Sequence, residues 1–174
     1  MKSFYVLLTL FIALTSCEKK EDPNLTPLEQ LPPKTQVGAN TAGCLVDGEL
    51  FLPKGFTPSG NLICNYINQK DFSLDIYDNS DNKSHSVFIE SRNLQLKVNE
   101  IYILRERSNI SQSGEFFVFK ENKEFSTTAN VNGELIITHH DFNNATISGT
   151  FWYDAIDKNG NIVEIREGRF DMEY

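Results

Sequence analysis

From Gly43 to the C-terminus the apolar residues recur at every second position, and this periodicity constrains the fold more than any other feature of the chain. Phe72, Leu74 and Ile76 alternate with Ser73, Asp75 and Tyr77, the two-residue period of a strand with one face buried. The same pattern returns in Cys44 to Val46, Leu62 to Ile67, Val87 to Ile89, Ile101 to Leu104, Phe116 to Phe119, Leu135 to His139, Ala145 to Ala155 and Ile162 to Ile165. Turn residues separate these runs: Asp47-Gly48, Pro58-Ser59-Gly60, Asp78 to Asn82, Asn132-Gly133 and Asn159-Gly160. Leu94 to Arg107 is the only helix candidate, but its β-branched residues around Tyr102 and its lack of a cap favour a strand there. Many short strands without crossover helices predict an all-β antiparallel domain, a β-sandwich or flattened β-barrel of roughly 8–10 strands.

The C-terminal hairpin can be read to the residue. A two-residue Asn159-Gly160 turn would set Asp154 opposite Ile165 and Trp152 opposite Glu167. A three-residue turn with Gly160 in the left-handed region sets Tyr153 opposite Ile165 and Ala155 opposite Val163, which are better matched. That register puts Ile147, Gly149, Phe151, Tyr153 and Ala155 on the core face and Ser148, Thr150, Trp152 and Asp154 on the other.

The N-terminus carries a different signal. Lys2, an apolar run from Phe4 to Leu14 broken only by Thr9, and the small residues Thr15 and Ser16 before Cys17 form a signal peptide over residues 1–16. The run is too short for a spanning helix, which needs roughly 20 apolar residues. Leu14-Thr15-Ser16-Cys17 resembles the lipobox of bacterial lipoproteins, which implies that Cys17 is acylated and that the membrane is reached through its lipid. Prolines 23, 27, 32 and 33 break any regular element between Glu18 and Ala42, so residues 17–42 read as the lipidated cysteine and a flexible tether, holding a single domain of residues 43–174 about 25 Å from the lipid. Removal of Lys2 leaves 15 basic against 24 acidic residues, a net charge of −9, which argues against nucleic acid as a partner.

Two segments, GANTAGCLVDGELF (Gly38 to Phe51) and ISGTFWYDAIDKNGNIVEIREGRFDMEY (Ile147 to Tyr174), resemble the two ends of a family of uncharacterised Bacteroidetes lipoproteins that carry a domain of unknown function. The resemblance implies an outer-membrane lipoprotein and brings no catalytic residues with it. Glu18-Lys19-Lys20-Glu21-Asp22, directly after Cys17, is similar to the acidic surface-export signals of such lipoproteins, so the cell surface is expected over the periplasmic side. In an oxidising compartment, with Cys17 consumed by lipid, Cys44 and Cys64 remain as an even pair and are expected to form a disulfide.

Few constellations suggest chemistry. His139 and His140 are adjacent on a strand and point to opposite faces, so they cannot share a metal ion. Asp78 to Asn82 spaces oxygen ligands as calcium loops do, but Lys83 stands where the tight glycine turn is needed. Glu164, Glu167, Asp171 and Glu173 alternate with Arg166 and Arg169, the pattern of ion pairing on a wet face. Trp152, the only tryptophan, shares its face with Thr150 and Asp154, as a carbohydrate or peptide platform would require; the plainer reading covers it with a loop, the tether or a second sheet. The sequence therefore predicts an envelope protein with no catalytic residues, no metal and no cofactor, binding an unidentified protein or glycan. A carboxylate-dependent hydrolase acting on envelope or dietary glycans and a purely structural envelope protein are the alternatives.

Overall fold

The computed structural model describes residues 24–80 and 83–174. The expected signal peptide, the Cys17 lipidation site, Glu18 to Asp22, and Asp81 and Asn82 lie outside the described residues. A one-turn helix α1 (Pro27–Gln30) is followed by β1 (Thr41–Val46), β2 (Glu49–Phe51), β3 (Lys54–Gly55), β4 (Leu62–Ile67), β5 (Asp71–Asn79) and β6 (His85–Ser91). Then come β7 (Ile101–Leu104), β8 (Gln112–Val118), a 3₁₀ turn over Phe119–Glu121, β9 (Lys123–Ser126), β10 (Gly133–Asp141), β11 (Thr146–Ile156) and β12 (Ile162–Glu173). Every pairing is antiparallel except β3 with β5.

Two layers share this sheet. One runs β7-β10-β11-β12-β1-β2 and the other β9-β8-β6-β5-β4; they join where the end of β11 pairs with β9 through Ile156 and Ser126. The strand path ends at β2 and β3 without closing, so the fold is an open all-β sandwich and not a barrel. The layers meet through side chains that the period-two pattern placed inward. Phe72 of β5 lies 5.6 Å from Phe170 of β12, and Phe51 of β2 lies 6.2 Å from Phe116 of β8. Tyr153 crosses the core to donate its hydroxyl to the Glu115 carbonyl at 2.7 Å. Its ring rests on Gly114, where any Cβ would come within 2.8 Å of it, so only glycine fits beneath that tyrosine.

The C-terminal hairpin adopts the three-residue register: Tyr153 faces Ile165, Ala155 faces Val163, and Gly160 has φ +87°. Leu94 to Arg107 contains no helix; β7 forms there, as its β-branched residues favour. The strands β2, β3 and β9, all four residues or fewer, are additions that the alternation was too short to announce.

The segment read as tether up to Ala42 is largely packed on the domain. Thr26 caps α1 with a reciprocal capping box to Glu29. Leu31 and Pro32 are buried, and Thr35 to Ala39 runs as a strap across the outer face of β11 and β12. The strap is buckled on Asp171, which is 1% exposed. Its carboxylate accepts hydrogen bonds from Thr35 Oγ1 at 2.6 Å, from the Val37, Gly38 and Ala39 amides at 3.0, 2.9 and 3.2 Å, and from Ser148 Oγ at 2.8 Å. Burial alone would raise the Asp171 pKa, but these donors from Thr35, Val37, Ser148 and Gly38 hold it well below the usual carboxylate range. Asp171 was expected on a wet face with Arg166 and Arg169; the strap instead turns its position into a second, polar interior.

A tryptophan platform beside a strained bulge

Beyond the strap the same outer face stays open. Trp152 is 37% exposed, so among the described residues neither loop, tether nor second sheet fully covers it, although Lys34 of the segment read as tether lies at its edge. On one side Glu134 of β10 lies opposite Trp152, and the indole Nε1–H donates to Glu134 Oε2 at 3.3 Å. On the other side the ladder is irregular. Phe151 pairs with Gly168 and Tyr153 with Ile165, so Arg166 and Glu167 together oppose Trp152 in a β-bulge. Glu167 sits at φ +55°, a left-handed conformation that costs a non-glycine residue about 1 kcal/mol. Gly168 follows because a Cβ there would come within 2.4 Å of the Phe151 ring.

The bulge aims Arg166 along the face. Its guanidinium sits 5.5 Å over the Trp152 ring, bonds Asp154 Oδ1 at 2.6 Å and donates to the carbonyls of Tyr153 and Ile165 at 3.2 and 3.0 Å. A cation fixed by three hydrogen bonds holds one side of the indole in place. What remains is a shallow depression of about 230 Å³ whose lining includes Trp152, Thr150, Glu134, Glu167, Arg166 and, from the strap, Lys34. The Thr150 hydroxyl makes no hydrogen bond to any described residue. Of the residues expected on a binding face, Trp152 and Thr150 line the depression and Asp154 stands behind it, orienting Arg166. Glu167 was expected only as part of an ion-paired wet face, and it does pair with Arg169 at 3.1 Å; its place beside Trp152, like that of Glu134, depends on register and the bulge.

The other candidate residues have structural roles. His140 joins an aromatic cluster with Phe142, Tyr66 and Tyr174, at ring distances of 4.1, 4.7 and 5.8 Å, and burial lowers its pKa. His139 lies 3.5 Å from Thr146 Oγ1 on a separate contact. Asp78 closes its own turn onto the Ser80 amide and hydroxyl at 3.1 and 2.6 Å. Among the described residues no group of three or more His, Cys, Asp or Glu is placed to hold a metal.

The expected Cys44–Cys64 disulfide is not formed: both thiols are free. Cys44 lies in β1 of one layer and Cys64 in β4, on the margin of the other, so counting cysteines gave no measure of their separation. Burial raises the Cys44 thiol far above its ordinary range and pushes Cys64 up to about 12, so both are held as thiols at neutral pH.

The outer face of the second layer is polar but saturated. Glu90 and Glu115 are 4% and 2% exposed, and Arg107 reaches both, at 2.7 Å from Glu90 Oε1 and 3.2 Å from Glu115 Oε1. Arg92 adds a 2.9 Å contact to Glu90. Burial raises the Glu115 pKa and Arg107 draws it partway back. Nearby, burial pushes the Asp75 carboxyl up to about 6 against the opposing hydrogen bonds of Tyr77 and Ser86.

No curated protein and no solved structure shows a significant match to the chain. A family profile does: it covers residues 66–172, taking in the Trp152 face and most of the C-terminal motif but not the Gly38 to Phe51 motif. The chain thus belongs to the family defined by a domain of unknown function, DUF6252.

Proposed function

We propose that this protein is a lipid-anchored, non-catalytic envelope module that binds a hydroxyl-rich ligand, a glycan, at the Trp152 depression. The observation that carries the reading is the bulge at Glu167. A residue kept in a left-handed conformation at a cost of about 1 kcal/mol, where glycine would relieve it, is a feature to be explained by what its side chain does. Here it brings a carboxylate, paired with Arg169 at 3.1 Å yet still exposed, beside a partly exposed indole, a hydroxyl that bonds no described residue and a second carboxylate. A ring face with donors and acceptors at its edge suits a pyranose, whose C–H groups pack on the ring while its hydroxyls exchange hydrogen bonds at the rim.

Titration calorimetry of the protein against soluble oligosaccharides of neutral hexoses and of hexuronates tests this. Saturable heat with at least one probe, lost in Trp152→Ala, is expected; no heat with any probe contradicts the glycan reading. Anchoring rests on the lipobox, and Cys17→Ala should abolish partitioning into the detergent phase. Outward orientation rests on the charged stretch after Cys17. Proteinase K on intact cells should release the folded domain, with cleavage upstream of Thr35 because the strap from Thr35 to Ala39 is pinned to Asp171.

The hydrolase reading has one observation in its favour, the Asp75 carboxyl raised to about 6 in the same face as Glu115. It is the weaker reading, since Glu115 is 2% exposed and held by Arg107 and so offers no second carboxylate to a substrate. Release of reducing ends from the same oligosaccharides, abolished in Asp75→Asn, would favour it.

A further inference from the structure

The strand β4 pairs with β5 on one side only, and at six residues it is the longest strand in the described structure with a vacant side. Its hydrogen-bond phase is fixed. The Tyr77 amide donates to the Asn61 carbonyl at 2.8 Å, so in the antiparallel ladder Asn61, Ile63 and Asn65 direct their main-chain groups toward β5. The N–H and C=O groups of Leu62, Cys64 and Tyr66 therefore point away from the sheet, and no described main-chain group bonds them.

Edges of this kind are normally blunted by charge, proline, a bulge or short length. The other margins are shorter: β2 has three residues including Glu49, β3 has two, and β7 has four. β4 has none of these guards. From Gly55 to Gln69 fifteen consecutive residues carry no charge, the longest such run after Cys17 in a chain whose net charge is −8. Ile67 at its end is 58% exposed and Phe56, upstream in the same run, is 79% exposed.

We propose that β4 is a homophilic interface that pairs antiparallel with β4 of a second copy of this chain across a twofold axis. Two acidic copies repel wherever charged surface meets, and this edge is where they can approach without juxtaposing like charges. The phase of the free groups also satisfies itself. Centring the axis on Cys64 sets Leu62 opposite Tyr66 of the second copy and Cys64 opposite its own counterpart, each as a hydrogen-bonded pair, giving about six new main-chain bonds. Opposed Cα atoms in such a pair lie about 5.5 Å apart, within the span of a disulfide. The interface uses the layer remote from Trp152 and leaves that face open, so it stands independently of the glycan reading.

Oxidation with copper phenanthroline of membranes holding the full-length protein tests the register. A species of twice the monomer mass is expected on a non-reducing gel, absent from Cys64→Ser and several-fold weaker in Asn65→Lys, which places a charge on the edge. A dimer that persists in Cys64→Ser overturns the proposed pairing. Because Cys64 is partly buried, sedimentation velocity of the detergent-solubilised Cys64→Ser protein decides if no bridge forms. A dimer that dissociates on adding Asn65→Lys supports the proposal. A monomer at every concentration up to about 100 μM overturns it.

Discussion

On the outer face of β5, β6 and β8, Glu90 and Glu115 are almost fully buried and one arginine, Arg107, holds both. On the outer face of β10, β11 and β12, an indole is 37% exposed, the Thr150 hydroxyl bonds no described residue and Glu167 is held at positive φ. Both faces are rich in charge, so charge alone does not mark a site. The difference lies in where hydrogen-bonding capacity is spent. The first face buries its paired carboxylates and gains little from a ligand; the second closes its valences under the strap at Asp171, whereas around Trp152 its paired groups, Arg166 with Asp154 and Glu167 with Arg169, stay within reach of solvent.

Removing the open face altogether gives the largest expected effect. A chain ending before Asn144 loses β11 and β12, and with them Phe151, Tyr153, Ile165 and Phe170 from the core; it should show no cooperative thermal unfolding. Next comes Asp171→Ala, which leaves the donors of Thr35, Val37, Gly38, Ala39 and Ser148 without their acceptor. A loss of roughly 3 kcal/mol in denaturant unfolding is expected, with early proteolysis of the strap. A variant that loses less than about 0.5 kcal/mol would mean that the strap is not held by this buckle.

Acid titration separates the two faces by sign. Asp171 has a folded pKa below its unfolded value, so its contribution is present above about pH 4 and is lost as pH falls. Asp75 has a folded pKa raised to about 6 above an unfolded 3.8, so its ionisation costs stability; that cost is full above pH 6 and shrinks as pH falls from about 6 towards 3.8. The melting temperature should therefore rise from about pH 6 to about pH 4 and fall below about pH 4. Asp75→Asn should flatten the first limb and Asp171→Asn the second. A monotonic profile in the wild type would contradict the assignment.

The smallest effect on stability is the most telling about function. Glu167→Gly relieves the left-handed conformation and should stabilise the fold by about 0.5–1 kcal/mol while weakening ligand binding. Stabilisation with unchanged binding would reduce the bulge to a packing feature.

What was legible in the sequence follows from the range of each interaction. The register of the Tyr153–Ile165 hairpin could be read because the alternatives differ in local matching across a short turn. The face carrying Trp152 and Thr150 followed from that register. The strap could not be read, because its prolines signal only the absence of regular structure, while its anchor lies more than 130 residues away at Asp171. The bulge at Glu167 escaped because the alternation read in that strand ended at Ile165, and nothing local marks where two residues will face one. The Cys44–Cys64 bridge failed for the same reason as the strap was missed: long-range separation in a sandwich leaves no trace in spacing.

The central claim is that the Trp152 depression is a ligand site. Trp152 is the only tryptophan, so indole emission, excited on the red edge beyond the absorption of the six tyrosines, reports that depression. Emission would be followed while neutral-hexose and hexuronate oligosaccharides are titrated into the wild type and Glu167→Gly. The account predicts a saturable shift or quench with at least one probe in the wild type, and a right-shifted or absent response in Glu167→Gly. Emission that stays constant across every probe, or responds identically in the two proteins, contradicts it.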